Sequence, residues 1–448
     1  MATQETSDIA VNPEPLKLNP ELAEKFPVTD ILALNDDCLM KVFDYLNETE
    51  LLNVIRTNSR FKFPCQQFYK LRYCRNPITV SNVNVGATYK HSVSILEHFG
   101  PVISKLCVRF KTEKIEKLLD AIVANCDTSI AELEFQHLNS RVKVNSIAHK
   151  AGNKRIQTFL ASLAKQFKNL RKLKFDYCNK LNKCLYSDAI IQNIPSLLSF
   201  STNETSYGQL WLSEKLKQFV GLNPQIEHLS ILFEVNEQES TDRSWHISKS
   251  FIRHLDDSLP LLKSLEINRV SLLSLPKYVP SPFSVFDFRT ETEPPADQFP
   301  NLKEFTFGCF PEFYGIDFGF LMFRSNAVEV LRLSYFDYNI HYFIMHVSQF
   351  KSLRVLELEL PLNHFTKLLG QSRVTDAVWR PFGIRELIAN NCRLTKIIVR
   401  QHPCEAYQGF YVGTLATEAA YRDSIEGLEW KVHYGTECLM FEKLPTSK

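Results

Sequence analysis

The sequence has few of the residues and none of the motifs on which most catalytic sites depend. Only 14 of its 448 residues are glycine. Neither G-x-x-x-x-G-K-[ST] nor G-x-G-x-x-G follows a predicted strand, which excludes the usual phosphate-binding loops. The motifs H-E-x-x-H and G-x-S-x-G are absent as well. The twelve histidines are scattered along the chain, so we expect neither an enzyme nor a cofactor or metal site.

The cysteines form no disulfide or zinc pattern. There are 11 of them, an odd number without any Cys-x-x-Cys pair, which argues against a secreted disulfide framework and against a zinc finger. Within or just after predicted strands, Cys107, Cys178 and Cys392 are expected to be small core residues and not nucleophiles.

The chain lacks a long apolar run and an excess of charge. No stretch approaches about 18 uninterrupted apolar residues, and no signal peptide is predicted, so we expect a protein of the cytosol or nucleus without a membrane contact. Lys and Arg number 52 against 50 Asp and Glu, which gives no overall field for binding nucleic acid. Residues 1–30 carry six acids, two lysines and four prolines, and this composition predicts a flexible leader.

Residues 31–75 are predicted to form a module of three short helices. Leu39, Val42, Phe43 and Leu46 recur at the i, i+3, i+4 and i+7 spacing of one apolar helical face. Asn35 is the predicted N-cap of this helix, and Asn47 suits its end.

Two further helices complete this predicted module. The second is expected at about 49–58, with Thr49 as its cap. The third is expected at about 64–73, with Pro64 in its first turn.

From about residue 100 an apolar-x-x-apolar-x-apolar hexad recurs ten times. The copies are ISKLCV at 103, IAELEF at 130, LRKLKF at 170, LLSFST at 197, IEHLSI at 226, LKSLEI at 262, LKEFTF at 302, VEVLRL at 328, LRVLEL at 353 and IRELIA at 384. Most steps between them fit the roughly 20 to 29 residues of one leucine-rich repeat, and the longer steps imply insertions. The pattern predicts an α/β fold, a divergent leucine-rich-repeat solenoid over 76–399 with a parallel concave sheet.

Two segments interrupt or close this predicted array. Residues 273–299 are rich in proline and phenylalanine, and they are either an unstructured insertion or a binding element. Residues 400–448 are expected to form a C-terminal cap, in which LEWKVHYG and CLMFEKL make a hairpin.

The segment LALNDDCLMKVFDYLNETELLNVIRTNSRF resembles the F-box family. It departs from the family at Asn35, where proline is preferred, and at Phe61, where tryptophan is preferred. The resemblance implies a non-catalytic substrate receptor that binds the Skp adaptor, and through it the cullin–RING core of an SCF-type ubiquitin ligase. The residues that it implies for adaptor binding are Leu34, Leu39, Val42, Phe43, Leu46, Leu51, Leu52, Ile55 and Phe61.

Two alternatives to this function remain open. The apolar helices could instead cap the first repeat, because any amphipathic helix must bury its apolar face. The whole chain could be a leucine-rich-repeat interaction scaffold without a role in ubiquitination.

The residues between the apolar positions of each hexad are predicted to face the concave side, where an unknown protein substrate would bind. Late in the array they are mostly acidic, namely Glu266, Asn268, Glu304, Arg332, Glu357, Glu359 and Glu386.

A second charge asymmetry lies at residues 150–184, which are rich in Lys and Arg. It is either a patch for an acidic or phosphorylated partner or a solvated helix face. Its candidate members are Arg155, Lys165, Lys168, Arg171 and Lys172.

Overall fold

A computed structural model describes most of the chain in thirteen stretches, 31–82, 87–110, 115–137, 147–176, 191–206, 214–235, 249–271, 298–308, 325–334, 347–360, 383–401, 425–434 and 438–445. The predicted leader at 1–30 lies outside the described residues, and so does the predicted insertion at 273–299 except for its last two residues. The chain divides into two compact units, Met1–Arg75 and Asn76–Lys448.

Three helices make up the described part of the first unit. They are α1 (Asp36–Phe43), α2 (Glu48–Thr57) and α3 (Lys62–Arg72). A 3-10 turn at Ile31–Ala33 precedes α1, and another at Ser59–Phe61 leads into α3. Helices of this length are not stable in isolation, so they depend on the apolar contacts among them.

Asparagine caps decide where the first two helices begin. Asn35 caps α1 as predicted, because its Oδ1 accepts a hydrogen bond of 2.9 Å from the Cys38 amide. Asn47 does not end α1 but caps α2, and it forms a reciprocal capping box with Glu50 at 2.8 and 3.0 Å. The prediction of Thr49 as this cap was wrong, because only Asn47 has a glutamate three residues ahead.

Phe43 lies at the centre of the apolar core of the first unit. Its ring meets the edges of Phe61 and Phe68, with centroids 6.4 and 6.0 Å apart. Edge-to-face pairs of this kind add about 0.5–1.5 kcal/mol each beyond the burial of area.

The described strands of the second unit form a single 13-stranded sheet. Strands β1 to β11 lie side by side in chain order and are parallel, while β12 and β13 are antiparallel. The strands are β1 (Ile78–Ser81), β2 (Lys105–Phe110), β3 (Glu132–His137), β4 (Lys172–Asp176), β5 (Ser199–Ser206), β6 (His228–Val235), β7 (Ser264–Ser271), β8 (Glu304–Gly308), β9 (Val330–Ser334), β10 (Val355–Leu360), β11 (Lys396–Gln401), β12 (Trp430–Tyr434) and β13 (Cys438–Lys443).

Helices connect several of these parallel strands, so the fold is mixed α/β. Those described are α4 (Ala87–Phe99), α5 (Glu116–Asn125), α6 (Ile147–Ala161), α7 (Leu163–Gln166), α8 (Glu214–Leu222), α9 (Lys249–Ser258) and α10 (Gly383–Asn390). None of the described helices is long and apolar enough to cross a bilayer.

Nine of the ten predicted hexads form strands, and each strand begins at the third hexad position. The tenth prediction was wrong, because IRELIA lies in α10 and the strand is formed by the next segment, LTKIIV at 394–399. Ile384, Leu387 and Ile388 follow the i, i+3, i+4 spacing of a helix, which an apolar-x-x-apolar search cannot separate from a strand.

Backbone hydrogen bonds repeat from one strand to the next. The amides of Arg171 and Lys172 both donate to the Ala131 carbonyl, at 2.7 and 3.0 Å. The amides of Leu198 and Ser199 donate in the same way to the Arg171 carbonyl. The first, fourth and sixth hexad residues are buried beneath this ladder, as Leu170, Leu173 and Phe175 illustrate. The carbonyl at the second hexad position therefore aligns the strand that follows it, from β3 to β11.

The sheet ends in an antiparallel pair. The predicted hairpin is observed between β12 and β13, and β13 also pairs with β11. Phe441 lies opposite Ile397 in that register and is fully buried. The hairpin therefore covers the last parallel edge of the sheet.

Candidate protein-binding surfaces

The F-box-like segment contributes most of its apolar residues to the interior of the first unit. At most 6% of the surface of any of these side chains is exposed. They are Leu39, Phe43, Leu51, Leu52, Ile55 and Phe61. These six side chains pack the three helices against one another and offer little surface to a partner.

The other three residues of the implied adaptor-binding set reach the surface. Val42 is 38% exposed, and Leu34 and Leu46 are half-buried. These three are the members of the set that a partner can reach directly.

Further apolar side chains of the first unit face solvent and were not predicted. Tyr45 is 89% exposed, and it lies just after the C-cap of α1, three residues beyond Val42. Ile31, Leu32, Phe63 and Leu71 are also exposed. A signal for Tyr45 was available in the sequence, because this large side chain lies off the apolar stripe of Leu39, Val42, Phe43 and Leu46.

Arg60 fixes the segment that carries Leu34. Its Nη2 donates to the Leu34 carbonyl at 3.0 Å, and its Nη1 lies 2.6 Å from Asp36 Oδ1. These two bonds join the start of α1 to the turn before α3. They give Asp36 a structural role, which is to help position the neighbouring Leu34.

The phenol of Tyr69 joins α3 to the start of α2. The Tyr69 hydroxyl donates to Glu48 Oε1 at 2.7 Å. Burial raises the pKa of Tyr69 well above its usual range, and the Glu48 carboxylate raises it further. Tyr69 therefore stays protonated and holds α3 against the start of α2.

The second candidate surface is the polar face of strands β7 to β10. Glu266, Thr306, Arg332 and Glu357 follow one another in register across these four strands. Because successive residues of a strand point to opposite faces, their side chains lie opposite the buried leucines and phenylalanines. The structure thus brings the predicted substrate residues Glu266, Arg332 and Glu357 into one row, with Thr306, which was not predicted, between the first two.

Arg332 is the centre of this polar surface. Its Nη1 lies 2.8 Å from Glu304 Oε2, and its Nε lies 3.3 Å from Glu357 Oε1. Burial alone would lower the pKa of Arg332, but the hydrogen bond to Glu304 and the charges of both glutamates outweigh burial and raise it. Two of the predicted acids are therefore paired with the same fixed cation.

The predicted acidity of this face is corrected in two ways. Glu386 lies on helix α10 and belongs to no strand, so it is not part of the face. The next strand, which the hexad search missed, contributes Lys396 and Arg400 at outward positions. Arg400 Nη2 lies 3.9 Å from Glu357 Oε2. With these bases, the surface carries charges of both signs.

Asn268 is held flat against the neighbouring strand. Its Nδ2 donates to Glu266 Oε1, and its side chain lies over Gly308, where an added Cβ would collide with Asn268 Oδ1. A glycine is needed at position 308 because the amide occupies the space of a side chain. Glu359, the remaining predicted residue, lies on β10, beside Arg400 in the register with β11.

Early in the sheet the same face is occupied by cross-strand ion pairs. Lys174 Nζ lies 3.0 Å from Glu134 Oε1 and 3.5 Å from Asp176 Oδ2. Burial would raise the pKa of Glu134, but hydrogen bonds from Gln136 and Lys174 and the lysine charges lower it. These charged side chains are thus paired with one another on the sheet.

The predicted basic patch is only partly available to a partner. Arg155 pairs with Asp120, and Lys172 Nζ lies 4.0 Å from Glu132 Oε2. Within the described stretches, Lys165, Lys168 and Arg171 are exposed and have no carboxylate within ion-pair distance. These three residues are the part of the patch that an acidic partner can reach.

Neither models of known protein families nor curated proteins match this chain. Within the part of the chain that the structure describes, no group of three His, Cys, Asp or Glu residues is arranged to hold a metal ion.

The buried thiols are held in their unreactive form. Burial raises the pKa of Cys65 and Cys126 to about 12, and a thiol rather than a thiolate is a poor nucleophile. Cys107 is a core residue as predicted. The same prediction was wrong for Cys392, which is exposed, and Cys178 lies outside the described residues.

Proposed function

We propose that this protein is a substrate receptor of an SCF-type ubiquitin ligase. Its F-box-like helical unit would bind the Skp adaptor, and a divergent leucine-rich-repeat sheet would bind the protein to be ubiquitinated. The observation that carries this proposal is the apolar surplus of the first unit. Its helices bury a full core around Phe43 and still expose Val42, Tyr45 and other large apolar side chains, which is typical of a surface that binds another protein.

The polar face of β7 to β10 supports the second half of the proposal. Glu266, Asn268, Glu304, Arg332, Glu357 and Glu359 supply fixed donors and acceptors on adjacent strands. Such groups contribute specificity more than affinity, because wrongly charged partners are rejected. The substrate contact is proposed for this face.

Co-purification with the Skp adaptor tests the proposal. The full-length wild-type chain is expected to retain the adaptor, and the Val42→Glu, Tyr45→Glu double variant is expected to lose it. Both substitutions are at exposed positions, so the fold should survive, as circular dichroism would check. The matched control is Leu222→Glu with Leu261→Glu, two exposed leucines of the second unit.

Failure of the wild-type chain to bind the adaptor would leave the leucine-rich-repeat scaffold without a ligase role as the better explanation. Equal loss of binding in the control pair would show that added negative charge, and not the apolar surface, is responsible.

A further inference from the structure

A groove between α1 and α3 has an apolar floor. It has a volume of about 410 Å³ and is lined in part by Met40 from α1 and by Phe68 and Leu71 from α3. Leu71 is 58% exposed, so an apolar side chain of the first unit lies in the groove in contact with water. Covering it with an apolar group of a partner would be favourable, at about 25 cal/mol for each Å² removed from water.

The rim of this groove is basic. Lys41, Arg72 and Arg75 line it, and the one acidic lining residue is Asp44. Arg72 is held in place, because its Nη1 donates to the Asp44 carbonyl at 3.0 Å and its guanidinium lies 5.5 Å from the centre of the Phe68 ring. Among the described residues, Lys41 and Arg75 have no ion-pair or hydrogen-bond partner. Three cations against one carboxylate leave positive charge available to a ligand.

The groove is distinct from the surface around Val42. Residues of a helix are separated by about 100° around its axis, so the side chains of Lys41 and Val42 leave α1 in different directions. Neither Val42 nor Tyr45 lines the groove. Because a helix with its side chains is only about 10–12 Å wide, one partner that grips α1 can reach both sides.

We propose that this groove binds an acidic segment of the Skp adaptor, with an apolar side chain on the floor and carboxylates against Lys41, Arg72 and Arg75. The inference rests on the proposed function and adds a second contact surface to it. Charge complementarity selects the occupant, since a basic rim around an apolar floor favours carboxylates that flank an apolar anchor. Rim charges of this kind mainly accelerate association and make it depend on salt.

Adaptor affinity of three full-length proteins tests the groove. These are the wild type, a Lys41→Glu, Arg75→Glu rim variant, and a Lys62→Glu, Lys70→Glu control. Lys62 and Lys70 are exposed residues of α3 that do not line the groove, so both variants change the net charge equally. Binding would be measured at about 0.05 M and about 0.5 M salt, between which screening of surface charges increases strongly.

The rim variant is expected to bind at least about tenfold more weakly than the control at low salt, because steering by opposite charge is lost. Its affinity should also depend less on salt than that of the wild type. Leu71→Ser is expected to weaken binding at both salt concentrations, because it removes the apolar floor. Circular dichroism melting curves would confirm that each variant is folded.

Three results would overturn the proposal. If the wild type binds and the rim variant equals the control, the groove is not the contact, although the proposed function stands. If Leu71→Ser leaves the affinity unchanged, the rim acts only through unspecific charge. If the rim variant changes self-association and not adaptor binding, the occupant is a second copy of this chain. A wild type that does not bind the adaptor would overturn both the groove and the proposed function.

Discussion

Phe43 and Val42 are neighbours on α1, but their side chains have opposite surroundings. Phe43 is almost fully buried among aromatic rings, whereas Val42 is 38% exposed. Both belong to the apolar stripe that predicted this helix. Helical spacing identifies the stripe, but it does not show which of its members the second and third helices cover. The residues available for binding therefore had to come from the structure.

Removing the central ring should destabilise the first unit. Phe43→Ala is expected to lower its free energy of unfolding by about 3–5 kcal/mol, because it leaves a cavity in the core. Val42→Ala, an exposed change next to it, should cost within about 0.5 kcal/mol. Hydrogen–deuterium exchange of peptides covering residues 36–72 measures both. Similar protection in the two variants would contradict the buried position of Phe43.

The pairing of Glu134 with Lys174 should make stability depend on pH. Because the pKa of Glu134 is lower in the folded protein than the usual 4.5, its contribution is present above that value and is lost as the pH falls through the folded pKa. The midpoint of thermal unfolding should therefore fall more steeply towards acid in the wild type than in Glu134→Gln. Glu97→Gln, at an exposed residue of α4, is the control, and identical acid slopes in all three proteins would refute the expectation.

At the scale of elements, the apolar pattern predicted where the strands lie better than which side chains meet across them. A hexad contains its own alternation, so nine strands and their buried faces followed from the apolar pattern alone. The ion pairs of Arg332 did not, because its partners lie 28 residues earlier and 25 residues later in the chain. Only the parallel register brings them together. The segment IRELIA shows the same limit, since apolar residues at i and i+3 occur in a helix as well as in the hexad that predicts a strand.

The close approach of β7 and β8 requires glycine at one position. Gly308→Ala is expected to destabilise the second unit by about 1–3 kcal/mol, since the new methyl group would force Asn268 away. Gly221→Ala, in helix α8, has nothing within 4 Å of the added Cβ and should be neutral or stabilising by up to about 1 kcal/mol. Urea unfolding would measure both.

A double variant makes the Gly308 expectation sharper. Asn268→Ala combined with Gly308→Ala should recover part of the lost stability, because the colliding amide is gone. If the two substitutions are simply additive, the cause of the loss lies elsewhere.

For the whole molecule, the order of strands determines where the sheet is vulnerable. Each strand from β2 to β10 is protected by its chain neighbours on both sides, and β11 is protected on one side by the terminal hairpin. An unpaired strand edge is a template for pairing with another chain. The hairpin should therefore matter for the association state more than its size suggests.

Deleting residues 425–448 is expected to make the protein self-associate. The deletion removes Phe441 and leaves the hydrogen-bonding edge of β11 open next to Ile397 and Val399. Light scattering coupled to size exclusion would detect dimers or larger species whose amount increases with concentration. Adding Ile398→Lys to the deletion should suppress them, because a charged edge resists pairing. A truncated chain that stays monomeric would show that the edge is protected in another way.

The backbone ladder at the start of strands β3 to β11 has a consequence for tolerance to insertion. Two amides at the start of each of these strands bind the carbonyl of the second residue of the preceding hexad, as Arg171 and Lys172 do with Ala131. The alignment of neighbouring strands is thus set by these hydrogen bonds. It does not depend on the length of the segment between the strands. Such connections can lengthen at only a small entropic cost. New recognition loops can therefore be added there while the polar face of the sheet keeps its spacing.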